Sequence, residues 1–162
     1  MLFGCFGCVD NDSLGMTNSI FQISVVFGLV VTGAVQILGC VSGGHFNPAV
    51  TIAALVYKLI TPVMGAIYVV AQLLGAFIGY GILKVLTPET IQQGETGFCV
   101  THVNSSINSI QGVLIELFAT SALVWIVCGI WHPRNAKTGH DSVPLKVGFV
   151  ITALCGAVVS YH

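Results

Sequence analysis

Charge is the scarcest feature of this sequence: Asp, Glu, Lys and Arg make up 7% of its 162 residues, where soluble domains carry about 25%. A chain so poor in charge and 55% hydrophobic fits a membrane rather than water. The few bases are scattered and the net charge is −1, which excludes the basic footprint of a nucleic-acid partner. No basic start precedes the first apolar run, and apolar runs continue through the whole chain, so a cleaved signal peptide does not account for them. No cluster of acid, base and nucleophile emerges beside His45 or Glu116, so the chain is not expected to be an enzyme. Neither a metal site nor a cofactor is implied.

Cysteine is present at positions 5, 8, 40, 99, 128 and 155, mostly inside apolar runs, and this points to buried thiols rather than a disulfide framework. The pair in "CFGC", Cys5 and Cys8, has redox spacing but no βαβ pattern after it, and packing is the preferred reading.

What the chain has in abundance is long apolar stretches. A bilayer core about 30 Å thick needs about 20 apolar residues as a helix, and residues 19–41, 61–84 and 109–131 each supply them. Thr17, Asn18 or Ser19 can cap the first, Thr61 with Pro62 opens the second, and Asn108 or Ser109 caps the third. The end segments, 1–9 and 144–162, are shorter and read as pieces of longer helices. Ala71, Gly75 and Gly79 offer the small-residue spacing that lets membrane helices approach closely, although glycine is also simply common in such helices.

Lys58, Arg134, Lys137 and Lys146 fall in alternate connections. The preference of bases for the cytoplasmic side puts 42–60 and 132–146 inside, and 10–18 and 85–108 outside. The sequons at Asn11 and Asn104 both lie on the expected outer segments, where glycosylation could occur.

The stretch "CVSGGHFNPAVTIAALVY", residues 40–57, breaks this pattern. A helix from Asn47 to Tyr57 would be about 16 Å long, half a bilayer. Asn47 suits a cap and Pro48 a first helical position, and Gly43 and Gly44 allow a sharp turn before them. Such a half helix entering the membrane must direct its free N–H groups at water or protein. Its positive end repels cations, while the Asn47 amide and the carbonyls of residues 43–45 suit a neutral, hydrogen-bonding solute. An ordinary loop followed by a short surface helix is the alternative from spacing alone.

"SGGHFNPAVT", following "FGLVVTGAVQ", resembles the first Asn-Pro-Ala loop of the aquaporin and aquaglyceroporin family, and "YVVAQLLGAFIG", "IQGVLIELFATSALV" and "SVPLKVGFVITAL" resemble its third, fourth and fifth spans. The likeness implies an all-α membrane protein, an aquaporin-like helical bundle with one re-entrant half helix (residues 42–57), truncated, with 1–9 as the end of the first helix and 144–162 as the fifth. By the resemblance Asn47, Pro48 and Ala49 form the signature, Gly43, Gly44 and His45 supply carbonyls to the path, and His45 also fixes the loop. Phe27 and Cys155 match constriction positions. Glu116, the only acid inside a span, becomes a buried acceptor bracing a re-entrant loop, and Gln72 a polar contact of the same kind.

The implied partners are the lipid bilayer, water and small neutral solutes such as glycerol, with a homotetramer in the plasma membrane once the chain is complete. Strict water selectivity is the alternative. The family's second Asn-Pro-Ala, its first-helix acid, its constriction arginine and its sixth helix have no counterpart in these 162 residues. The resemblance therefore leaves two accounts open: part of a conducting channel, or a short non-conducting product that associates with full-length subunits.

Overall fold

The computed structural model describes residues 2–9, 18–89, 102–136 and 142–158. Among them every regular element is a helix: α1 (Leu2–Phe6), α2 (Ile20–Ser42), α3 (Pro48–Val56), α4 (Pro62–Leu86), α5 (Ser109–Trp131), α6 (Pro133–Ala136) and α7 (Val143–Val158). Asn11, Cys99 and Lys137 lie outside the described residues.

Local chemistry explains where the helices begin. The Ser19 hydroxyl accepts from Gln22 N at 3.1 Å to open α2, and Thr61 accepts from Met64 N at 3.3 Å ahead of Pro62. Asn108 and Gln111 form a reciprocal capping box, at 2.8 and 2.9 Å, at the start of α5. Each cap satisfies a backbone N–H that has no partner within its helix. At the far end of α2, Gly43 adopts a left-handed φ of 75° and returns its N–H to Gly39 O at 2.9 Å, a stop that a side chain would strain.

Helices α2, α4 and α5 are long and apolar enough to cross a membrane, yet only 11% of each apolar window is buried inside the chain. Phe77, Val85, Phe118 and Trp125 are more than 70% exposed. A water-soluble fold would hide such side chains, so the hydrocarbon of a bilayer is the solvent that these faces require. The described cysteines 5, 8, 40, 128 and 155 are free thiols, but the expected burial holds in full only for Cys5: Cys8, Cys128 and Cys155 are half-buried, and Cys40 is exposed on α2.

The tightest contact joins α2 to α7. A Cβ built on Gly28 would overlap the Thr152 hydroxyl and stand 2.6 Å from Gly148 O, and one on Gly148 would overlap the Thr32 hydroxyl and stand 2.7 Å from Gly28 O. The two Gly-x-x-x-Thr pairs thus face each other reciprocally. Both hydroxyls are tied back to their own helix, Thr32 to Gly28 O at 2.9 Å and Thr152 to Gly148 O at 3.0 Å. The hydroxyls are thereby satisfied within their own helices, as a polar group on a membrane helix requires. The small residues in α4 behave differently: Gly79 is buried, but Ala71 and Gly75 are exposed, and a Cβ on Gly75 would meet nothing within 4 Å. The expected close-packing role of Gly75 is therefore not realised within this chain, because no described helix faces it.

Candidate functional site

The stretch from Ser42 to Val56 builds the site. Gly43 and Gly44 both take left-handed backbone, at φ 75° and 66°, and turn the chain back on itself so that a Cβ on Gly44 would lie 3.5 Å from Gly39 Cα. Asn47, in extended backbone, caps α3 with its Oδ1 accepting from Ala49 N at 2.8 Å, and Pro48 occupies the first turn. Because the cap uses the oxygen, the Nδ2 hydrogens remain as donors. Thr51, fully buried, donates to Asn47 O at 3.3 Å. Val50 joins Leu123 and Val127 of α5 in a core cluster, with Val150, Ile151 and Leu154 of α7 packed against it. The nine-residue α3 is thus held inside the bundle rather than laid on its surface, which disfavours the surface-helix alternative.

Helix α4 holds the turn from the other side. The Gln72 amide donates from Nε2 to both His45 O and, at 2.9 Å, Thr51 Oγ1. One side chain thereby ties the loop to the first turn of the half helix. One turn earlier, the Tyr68 hydroxyl donates to Ser42 O at 2.9 Å, and its ring meets the His45 ring edge-on at 5.3 Å between centroids. Trp131 approaches the other flank of His45 at 5.7 Å.

The resemblance gave His45 the role of fixing the loop. Its carbonyl accepts from Gln72, and its Nδ1 is buried without a hydrogen-bond partner among the described residues, as is Gln72 Oε1. The imidazole packs instead against the rings of Tyr68 and Trp131. An open recess of about 480 Å³ beside α4 is lined by Ser42, His45, Tyr68 and Gln72 among others. A second, of about 720 Å³, separates the Ala49–Ala53 flank of α3 from Thr120, Ser121 and Cys128 of α5.

The remaining expected residues lie on the helices. Phe27 packs against Gly4, where a Cβ would stand 2.9 Å from its ring. Cys155 is half-buried and within electrostatic reach of Glu116. Ser24 neighbours Gly156, and Gly28 neighbours Thr152, so Phe27 and Cys155 fall at the same level of the antiparallel α2–α7 pair. Glu116 is exposed on α5 rather than buried as the resemblance implied. Asn104 is half-buried, with its Oδ1 accepting from Ser106 N at 2.9 Å.

Sequence reasoning missed Tyr68, 26 residues from the carbonyl that it holds. A tyrosine one helical turn before Gln72 on a mostly apolar helix was the available signal, since a phenol hydroxyl in hydrocarbon needs a partner.

Membrane-length apolar helices with a capped half helix packed among them define a helical membrane protein with a re-entrant segment. The whole chain, residues 1–162, matches the Major intrinsic protein family, and it belongs to that family. It is 39% identical over 130 residues to aquaporin-4 of Mus musculus, covering 80% of this chain and 39% of that protein. With aquaporin-2 of Rattus norvegicus it shares 42% over 136 residues, covering 83% and 48%, respectively. Aquaporin-2 of Ovis aries is 40% identical over 134 residues, covering 82% and 48%. The chain spans less than half the length of these curated relatives.

Proposed function

We propose that the complete protein carrying this chain is a passive membrane channel for water and small neutral solutes such as glycerol. The carrying observation is the half helix α3, which starts inside the bundle at a capped Asn47 and keeps the amide donors of that residue uncommitted among the described residues. The positive helix end and these donors favour a neutral molecule that accepts hydrogen bonds and disfavour cations. Membership of the family supports the reading, as do the relatives called aquaporins.

On this reading Asn47, Pro48 and Ala49 line the path with the carbonyls of the 43–45 turn, and Phe27 and Cys155 form part of its narrowest ring. A thiol at position 155 offers a small, weakly hydrogen-bonding wall, which favours glycerol passage beside water. The aromatic ring of Phe27 supports the narrower alternative, strict water selectivity. Gln72 and Glu116 serve as structural polar groups, and Asn104 as a glycosylation acceptor. The reading also takes the complete protein to be a homotetramer in the plasma membrane, with residues 42–60 on the cytoplasmic side.

Reconstituted vesicles test the proposal. Shrinkage in an impermeant osmolyte should be several-fold faster than in empty vesicles, and re-swelling in glycerol should follow. Fast shrinkage without glycerol entry would leave the strictly water-selective channel, and shrinkage no faster than in empty vesicles would reject a channel.

A further inference from the structure

The turn between α2 and α3 offers a run of backbone carbonyls, and the structure commits them unequally. Ser42 O, at the end of α2 and without a helical partner, accepts from the Tyr68 hydroxyl at 2.9 Å. His45 O accepts from Gln72 Nε2. Gly44 O accepts from Phe46 N at 3.1 Å. No hydrogen bond to Gly43 O occurs among the described residues. The two side-chain donors stand four residues apart on α4, one turn, and so reach the turn from one side, at its two ends.

We propose that Tyr68 is a positioning residue of the permeation path: paired with Gln72, it clamps the carbonyls on either side of Gly43 and Gly44, so that Gly43 O is the acceptor presented to the passing solute. This rests on the channel reading above. Left-handed glycines have no Cβ to restrict them, and their peptide planes rotate readily. Without a fixed carbonyl at each end, the Gly43 peptide could turn its oxygen aside. The two donors on α4 hold that rotation in one state, and the packing of the Tyr68 ring on His45 holds the phenol in place while its hydroxyl does so.

The discriminating variant is Tyr68→Phe in the complete protein, since it removes the hydroxyl and keeps the ring. Water permeability per folded channel, normalised to the reconstituted protein, should fall about fivefold, the weight of one hydrogen bond, and the glycerol-to-water permeability ratio should change. A merely structural role would lower the yield and leave both per-channel quantities as they were. Gln72→Glu, which replaces a donor by an acceptor at nearly the same size, should shift the same ratio and carries the test if Tyr68→Phe does not reach the vesicles. Parental values of both permeability and ratio in the variants that reconstitute would overturn the proposal. A parent protein that conducts no faster than empty vesicles would instead defeat the channel reading itself, and is read from the parent alone.

Discussion

Two contacts hold this chain together by opposite means. At the α2–α7 crossing nothing polar is exchanged between the helices by hydrogen bond: Thr32 and Thr152 turn their hydroxyls back to Gly28 O and Gly148 O of their own helices. Closeness is obtained by omission, since the glycines leave room for the opposite threonine. At the α3–α4 contact the reverse holds. There Tyr68 and Gln72 reach across 26, 27 and 21 residues of sequence to bond Ser42 O, His45 O and Thr51 Oγ1. The first contact is intolerant of volume and the second of lost polarity. In lipid the distinction sharpens, because the hydrophobic effect does not drive apolar helices together and an unpaired polar group finds no water.

The largest effect is expected from Gly28→Leu. Its Cβ alone overlaps Thr152, and neither backbone can retreat without opening the crossing, so a cost of about 3 kcal/mol or more is expected. The check is the yield of monodisperse protein in detergent, which should collapse; an undiminished yield would show that α2 and α7 do not meet as described. Thr51→Val breaks the second contact instead. It keeps the shape of a fully buried side chain but removes the acceptor for Gln72 and the donor to Asn47 O, for a loss of about 1–2 kcal/mol. Thermal unfolding in detergent should record a lower midpoint, whereas an unaltered midpoint would mean that these bonds add no net stability. Smallest of the three is Gly75→Ala, which sharpens the comparison because it alters a glycine that faces open space. Removing backbone freedom inside a helix should stabilise α4 by about 0.5–1 kcal/mol. A fall in the unfolding midpoint would reveal a neighbour at that position in the assembled protein.

The boundaries of the elements were legible because their signals are local. The apolar length of α2, α4 and α5, the Thr61–Pro62 and Asn47–Pro48 starts, and the Gly43–Gly44 stop are all carried by residues within a few positions of each other. The same holds for the capping box at Asn108, where one of two nearby residues had to be chosen. The partner of Gly28 was not legible, because Gly148 lies 120 residues away and the α4 series Ala71, Gly75 and Gly79 carries the same kind of spacing without the same use. Nor was the fixing of His45, whose ring meets those of Tyr68 and Trp131.

Sequence alone determined that this chain is a series of membrane-length helices with one short capped helix among them, since hydrocarbon admits few other ways to satisfy a backbone and caps act over single turns. Tertiary structure decided which glycines touch, which carbonyls are held and which ring secures the loop. These depend on residues brought together from distant parts of the chain, and the side chain that lies opposite a given position is set by packing rather than by neighbours in sequence.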